Sequence, residues 1–160
     1  MKTLIVMRHA KSSWGDPGVS DVDRPLNTRG KTSAKAIGEW LRFGGFAPDL
    51  VLCSSARRTA QTWELMGLEA ELQFKRTLYL APPETILAEV QQAHGECLLV
   101  LGHNPGIAEF AGMILGTHPT HERFEHYPTA ATLVAQFDGA WSELRADIAS
   151  PRAFTVPRDL

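Results

Sequence analysis

The sequence predicts an α/β fold, a three-layer sandwich in which a mostly parallel central sheet of about six strands has helices on both faces. Two observations support this prediction. Short apolar runs without polar alternation, such as residues 4–7 and 98–101, are typical of parallel strands that are buried on both faces. Between these runs lie longer segments whose apolar residues recur at helical spacing, so strand and helix alternate through most of the chain.

The first half of the chain contains two predicted strands, a long loop and two helices. Thr28 is a favoured N-cap residue, and Ala34, Ile37 and Leu41 form one apolar stripe of a helix that Gly44 ends. A loop as long as the segment 11–27, with no regular structure of its own, is usually functional. In chain order the sequence predicts strand 3–7, loop 11–27, helix 28–43, strand 49–53 and helix 57–66.

The second half continues the alternation. Pro83 is expected in the first turn of a helix, and Asn104-Pro105 is expected to cap and open the helix that contains Ile107, Phe110 and Ile114. Asp138-Gly139 indicates a turn between two closing strands. In chain order the sequence predicts strand 71–75, helix 83–94, strand 97–101, a helix through residue 114, and strands 131–137 and 142–147.

Composition limits the function classes. With 160 residues and 44% hydrophobic side chains, the chain is expected to form one domain, residues 1–160. A net charge of -2 leaves no basic footprint for nucleic acid, and no apolar run approaches the ~18 residues that span a bilayer. The N-terminus lacks the features of a signal peptide. We therefore expect a cytoplasmic protein, as a monomer, that binds neither nucleic acid nor membrane.

Cationic and imidazole side chains follow three of the predicted strands. Arg8-His9 follows the first strand, the segment 54–58 with Arg57-Arg58 follows the second, and His103 follows the fourth. Ligands of open α/β sheets bind beyond the carboxyl ends of the strands. Arginine matches phosphate oxygens bidentately, and a neutral imidazole can be a nucleophile. The pattern therefore predicts phosphoryl chemistry that needs neither a metal nor a cofactor.

These motifs resemble the histidine phosphatase superfamily, which has a phosphoglycerate mutase-like fold. The mark of that family is Arg-His followed by a small residue after the first strand, here Arg8-His9-Ala10. Within the family the chain looks closest to the short SixA-type phosphohistidine phosphatases. The resemblance spans residues 3–147 and rests on Met7-Arg8-His9-Ala10, Arg24-Pro25-Leu26, the segment 54–62 and Gly102-His103-Asn104-Pro105.

The resemblance implies a role for each of these residues. His9 would be the phosphorylated nucleophile, and His103 the second active-site histidine. Of the two adjacent arginines, Arg58 is implied by the family pattern that aligns Ser54 with Gln61-Thr62. Arg8 and Arg58 would contact the phosphoryl group, and Arg24 matches a family arginine that would line the pocket. From their positions just after the two strand-end histidines we also expect Ser12 and Asn104 to bind substrate or phosphate.

The expected substrate class follows from the absence of a clear candidate general acid in the sequence. Relatives that act on phosphomonoesters are longer and carry a glutamate after the third strand, which protonates an alkoxide leaving group. Here the corresponding region offers only Glu84, in the first turn of a helix, where glutamate is favoured for dipole reasons alone. We therefore expect a signal-transduction phosphatase with an open cleft, whose partner is a phosphotransfer or phosphocarrier protein bearing phosphohistidine.

The sequence leaves two other classes of function open. A phosphomonoesterase of small metabolites and a non-catalytic phosphate-binding or docking module stay open. A cysteine phosphatase is excluded because the sixth residue after Cys53 is Thr59, not arginine. The segment Asp21-Val22-Asp23 lies in a loop and is followed by Arg24-Pro25, which does not fit an aspartate phosphatase. The histidines at 118, 121 and 126 lack the cysteines and spacing of a structural zinc site.

Overall fold

The computed structural model describes residues 1–160 and contains six strands and four α-helices. Four short 3₁₀ helices lie between them, at Asp21–Asp23, Arg76–Leu78, Trp141–Glu143 and Pro157–Asp159. The main elements in chain order are β1 Lys2–Arg8, α1 Thr28–Phe43, β2 Leu50–Ser54, α2 Arg57–Met66, β3 Glu71–Lys75, α3 Pro83–Gln91, β4 Cys97–Gly102, α4 Gly106–Ile114, β5 Thr132–Phe137 and β6 Ser150–Thr155.

The six strands form one sheet in the order β3-β2-β4-β1-β5-β6. The first four in this order are parallel, whereas β5 is antiparallel to β1 and β6 is antiparallel to β5. Arg8 at the end of β1 is in register with Gly102 at the end of β4. The predicted mostly parallel sheet is confirmed, and its parallel strands end along one edge.

Helices cover both faces of the sheet. Alternate residues of β1 point to opposite faces: Ile5 packs with Ile37 of α1 in one core cluster, and Leu4 packs with Phe110 of α4 in the other. Residues of α2 belong to the first cluster and residues of α3 to the second. The three-layer arrangement is therefore confirmed. None of the four helices has the length and apolar character needed to cross a membrane.

Two glycines of α1 allow backbones to approach closely. A Cβ at Gly38 would lie 1.9 Å from the carbonyl oxygen of Met66, so only glycine lets α1 pack this tightly against the end of α2. A Cβ at Gly30 would lie 2.0 Å from the carbonyl oxygen of Lys11. This second contact holds the N-terminus of α1 against the loop that follows β1.

Several predicted boundaries were wrong, the last strand most of all. Residues 142–147 do not form a strand: Trp141–Glu143 is a 3₁₀ helix, and the buried Trp141 side chain donates from Nε1 to the carbonyl oxygen of Gly95 at 2.8 Å. The closing strand is instead β6. Its Pro151 is tolerated because β6 is the edge strand and the pairing with β5 is irregular nearby.

The helix caps also differ from the predicted ones. Asn27, not Thr28, is the N-cap of α1, and its Oδ1 accepts a hydrogen bond from the backbone N–H of Gly30 at 2.8 Å. The helix α3 ends at Gln91 rather than at residue 94. Asn104 does not cap α4, which begins at Gly106 after Pro105.

Candidate active site

The two strand-end histidines lie side by side. β1 and β4 are adjacent parallel strands, and the backbone N–H of His9 donates to the carbonyl oxygen of Gly102 at 3.1 Å. The ring centroids of His9 and His103 are 5.3 Å apart, with the rings tilted by 52°. Both histidines are buried: His9 is 6% exposed and His103 is 2% exposed.

The orientation of His9 suits a nucleophile. Its Nδ1 lies 2.7 Å from the carbonyl oxygen of Ala10, and no hydrogen bond engages its Nε2. Donation from Nδ1 to a carbonyl selects the tautomer whose Nε2 carries a free lone pair. The pKa of His9 is lowered to about 3, chiefly by burial; the hydrogen bond to Ala10 opposes this shift, and the nearby His103, Arg8 and Arg58 add to it. The imidazole is therefore neutral at pH 7.

The helix α2 anchors the loop that carries His9. The backbone N–H of Ala10 donates to Thr62 Oγ1 at 3.0 Å, and the Thr62 hydroxyl donates to the carbonyl oxygen of Arg58 at 2.7 Å. Gln61 Oε1 accepts from the backbone N–H of Leu26 at 2.8 Å. The Gln-Thr pair that follows Arg58 thus connects the nucleophile's loop, the second arginine and the end of the long loop.

His103 is held by the serine at the end of β2. Its Nε2 lies 2.7 Å from Ser54 Oγ, and the backbone N–H of Ala56 donates to the same Oγ at 3.3 Å. The Tyr79 ring meets the His103 ring edge-on at 5.4 Å. Burial, followed by the charge of Arg58, lowers the pKa of His103 to about 3.

Of the two adjacent arginines, Arg58 reaches the site. It is 2% exposed, whereas Arg57 is exposed on the first turn of α2. The Arg58 guanidinium donates to the carbonyl oxygen of Asp21 at 2.7 Å and to its carboxylate at 3.1 Å. Arg8 donates from Nη1 to the carbonyl oxygen of Tyr127 at 3.3 Å, and its pKa is lowered by burial and by Arg58.

Asp21 and Tyr79 are site residues that the sequence did not reveal. The Asp21 carboxylate accepts from Arg24 Nε at 3.1 Å, from Arg58 and from the hydroxyl of Tyr79. The Tyr79 hydrogen bond, with those of Arg24 and Arg58, lowers the pKa of Asp21 to about 2. Asp21 therefore stays ionised and orients both arginines. Arg58 lies far along the chain from Asp21, so no local motif could have indicated this contact.

Arg24 and Ser12 lie next to this carboxylate. Arg24 Nη1 donates to Ser12 Oγ at 2.7 Å and to the carbonyl oxygen of Ser13 at 3.1 Å. The Trp14 ring centroid is 3.5 Å from the guanidinium carbon of Arg24, and Trp14 is itself largely exposed. Arg24 and Ser12 thus hold the loop in place beside Arg58. Trp14 packs on the Arg24 guanidinium at the protein surface.

Unpaired polar atoms are concentrated at this site. Buried donors and acceptors in proteins almost always have hydrogen-bond partners. Only four buried side-chain nitrogen or oxygen atoms of the protein lack one, and all four belong to residues that the sequence predicted for the site. They are Arg8 Nε, Arg58 Nε, His103 Nδ1 and Asn104 Oδ1. Asn104 Nδ2 is engaged, since it donates to the carbonyl oxygen of Tyr127 at 2.9 Å.

Comparison with known proteins identifies the family. Residues 4–80 match the sequence profile of the histidine phosphatase superfamily (branch 1). Over 159 residues the chain is 37% identical to the uncharacterized protein Rv1276c of Mycobacterium tuberculosis (strain H37Rv), covering 95% of this chain and 100% of that relative. A protein of Nakamurella multipartitia assigned as phosphohistidine phosphatase SixA has a TM-score of 0.88 and 32% identity, covering 98% and 96% of the two chains.

This chain belongs to the histidine phosphatase superfamily, in its SixA-type group. The protein histidine phosphatase SixA complexed with tungstate has a TM-score of 0.79 at 19% identity, covering 98% of each chain, and shows the same fold. As a histidine phosphatase the protein is a phosphate-releasing hydrolase. Alanine follows the Arg-His pair where the family usually has glycine, and the Ala10 side chain is fully buried in the α1–α2 core cluster.

Two further features of this histidine phosphatase bear on its chemistry. Glu84 is exposed in the first turn of α3 and makes no hydrogen bond or ion pair with the site. The histidines at 118, 121 and 126 do not converge: His118 contacts the carbonyl oxygen of Gly112 and His121 pairs with Asp159. No group of three or more His, Cys, Asp or Glu side chains is arranged to hold a metal ion.

The lowered histidine pKa values predict acid-sensitive folding of this histidine phosphatase. The pKa of His9 and of His103 falls from 6.5 to about 3 on folding, so the unfolded chain binds more protons between these values. Stability is therefore lost as pH falls below 6.5. From pH 7 to pH 5, each histidine should lower the free energy of unfolding by about 2 kcal/mol.

Urea unfolding at pH 7, 6 and 5 measures this loss of stability. The His103→Asn variant should lose less stability on acidification than the unsubstituted protein, whereas His94→Asn, at an exposed histidine, should match the unsubstituted protein. Identical pH dependence for His103→Asn and the unsubstituted protein would contradict the burial effect.

Proposed function

We propose that this chain removes the phosphoryl group from phosphohistidine on a partner protein, through a covalent phosphohistidine on His9. The observation that carries this proposal is the grouping of all four unpaired buried polar atoms at one site. They belong to Arg8, Arg58, His103 and Asn104. Three of these atoms are nitrogens of cationic or imidazole groups, which suit the oxygens of a phosphoryl group. The tungstate complex of the structurally similar SixA agrees with an oxyanion in this fold.

The reaction has two displacements at phosphorus. First, the Nε2 lone pair of His9 forms a bond to phosphorus as the P–N bond of the substrate breaks, and the leaving imidazole nitrogen takes a proton from solvent. Second, a water oxygen attacks phosphorus, the P–Nε2 bond breaks and its electron pair returns to His9. Inorganic phosphate leaves, and the proton of the water goes to solvent or phosphate.

Each surrounding residue has a part in these steps. Arg8 and Arg58 neutralise the charge that develops on the equatorial phosphoryl oxygens. His103 donates to one of these oxygens from Nδ1, in the tautomer whose Nε2 accepts from the Ser54 hydroxyl. Asp21 keeps the Arg58 guanidinium in place, with Arg24 and Ser12 as support. Asn104 is aligned by the Tyr127 carbonyl oxygen that also accepts from Arg8.

The substrate class follows from the leaving group. An alkoxide needs a proton from an acid, and the only carboxylate bound at the site, Asp21, has its pKa lowered to about 2 and cannot supply one at pH 7. A phosphoramidate nitrogen departs with less help. A phosphohistidine displayed on a phosphotransfer or phosphocarrier protein suits such a site.

A substrate comparison tests the proposal. We expect kcat/KM for a phosphohistidine protein to exceed that for a phosphoserine peptide or a sugar phosphate by on the order of 100-fold, the contribution of the missing acid. EDTA should leave the rates unchanged. Equal or reversed values would favour the phosphomonoesterase alternative, and no turnover of any substrate would favour a phosphate-binding module.

A further inference from the structure

A cleft rich in arginine lies outside the proposed active site. It has a volume of about 140 Å³ and is lined by residues of the first two turns of α1, of the segment 123–129 and of the C-terminal segment. Three of its eight lining residues are arginines, Arg29, Arg123 and Arg158. A wider pocket continues from it, sharing Arg123 and Arg158 and adding Glu122 and His126.

The three arginines of this cleft have no partner in the protein. None of them forms an ion pair, and none of their side chains donates a hydrogen bond. By contrast, Arg24 and Arg58 of the active site are both bound to Asp21. Asp159, the neighbour of Arg158, is engaged by His121 at 2.8 Å. Glu122 is the only carboxylate that lines either pocket, so the cleft is positive on a chain whose net charge is -2.

One wall of the cleft is also a wall of the active site. The carbonyl oxygen of Tyr127 accepts from Arg8, and the backbone N–H of Ala130 donates to the carbonyl oxygen of His9 at 2.9 Å. The two residues between them, Pro128 and Thr129, line the cleft. A molecule in the cleft is therefore separated from the loop that carries His9 by the segment 128–129.

We propose that the cleft of Arg29, Arg123 and Arg158 binds a carboxylate-rich segment of the phosphoprotein substrate and so docks that protein beside His9. This proposal rests on the function proposed above. Arginine pairs with carboxylates in a planar, bidentate geometry, and arginine is enriched at protein interfaces. The separation of docking from chemistry predicts that the cleft affects KM for acidic protein substrates and leaves the chemical step unchanged.

Phosphohistidine peptides test the docking cleft. One peptide carries aspartate and glutamate on both sides of the phosphohistidine, and a second carries asparagine and glutamine at the same positions. We expect KM for the acidic peptide to be lower by about 10-fold or more, with similar kcat, and this preference to weaken as salt rises. The triple variant Arg29→Glu, Arg123→Glu, Arg158→Glu should lose the preference.

Controls separate docking from folding and from catalysis. The matched variant Arg76→Glu, Arg145→Glu, Arg152→Glu changes the net charge equally at exposed arginines outside both pockets and should keep the preference. Phosphoramidate is too small to reach the cleft. Its kcat/KM should therefore agree within about twofold among all three proteins, and this agreement also shows that the variants are folded. A preference that persists in the cleft variant, or is absent from the unsubstituted protein, would overturn the proposal.

The docking proposal can be judged even if the proposed function fails. If phosphoramidate and phosphohistidine peptides are not hydrolysed, the proposed function is wrong. Fluorescence anisotropy with the unphosphorylated acidic and amide peptides then still measures the cleft. Tighter binding of the acidic peptide to the unsubstituted protein than to the cleft variant supports docking, and equal binding contradicts it.

Discussion

The His9→Ala variant should lose kcat by on the order of 10⁴-fold or more on every phosphorylated substrate, because the covalent route depends on one nitrogen atom. No hydrogen bond engages His9 Nε2, and the hydrogen bond from Nδ1 to the carbonyl oxygen of Ala10 at 2.7 Å leaves the Nε2 lone pair free to attack. Alanine removes this lone pair. Arg8, Arg58 and His103 are left able to bind phosphate.

Two measurements accompany this variant. His126→Ala removes an exposed histidine and should retain kcat within about twofold. Phosphate should still bind His9→Ala with a dissociation constant close to that of the unsubstituted protein, because the arginines are unchanged. Residual turnover of a tenth or more by a folded His9→Ala protein would mean that water attacks the substrate directly.

Removal of the second arginine should have the next largest effect. Arg58→Ala should lower kcat/KM by on the order of 100-fold or more, as the loss of one preorganised donor to the transition state does in other enzymes. Arg58 is 2% exposed and held by Asp21 through two hydrogen bonds, so its guanidinium is fixed before substrate arrives. Steady-state kinetics on a phosphohistidine peptide measure the loss.

The adjacent arginine provides the matched control. Arg57 is exposed on the same helix turn, and Arg57→Ala should stay within about twofold of the unsubstituted kcat/KM. Arg58→Lys should recover only part of the activity, because one ammonium cannot donate to Asp21 and to the phosphoryl group with the planar geometry of a guanidinium. Similar losses for Arg57→Ala and Arg58→Ala would contradict the assignment.

The spacing of apolar residues predicted most of the fold, because in most elements the local sequence pattern agrees with the way the element packs in the folded protein. The buried parallel strands β1, β2 and β4 are continuous apolar runs, and α1 has a clear apolar stripe. The closing strand was misplaced because its proline argues against a strand unless its position at the sheet edge is known. The pairing partner, and not the local sequence, determined that element.

The candidate site was predictable where it follows strand ends and not where it depends on loop conformation. The register of Arg8 with Gly102 brings His9 and His103 together, which parallel neighbouring strands imply. Asp21 reaches Arg58 through a long loop that turns at a short 3₁₀ helix, and no periodic pattern specifies that path. Asn104 was predicted for the site, but its hydrogen bond to the carbonyl oxygen of Tyr127 depends on another loop and could not be predicted.

A rapid-quench experiment tests most directly whether His9 carries the phosphoryl group. The protein is mixed with a ³²P-labelled phosphohistidine peptide, quenched in alkali within milliseconds and digested, and the labelled fragment is sequenced. We expect alkali-stable, acid-labile phosphate on the fragment that contains His9, formed and lost at rates consistent with turnover. Turnover without any labelled enzyme, or label on a fragment that lacks His9, would contradict the covalent mechanism.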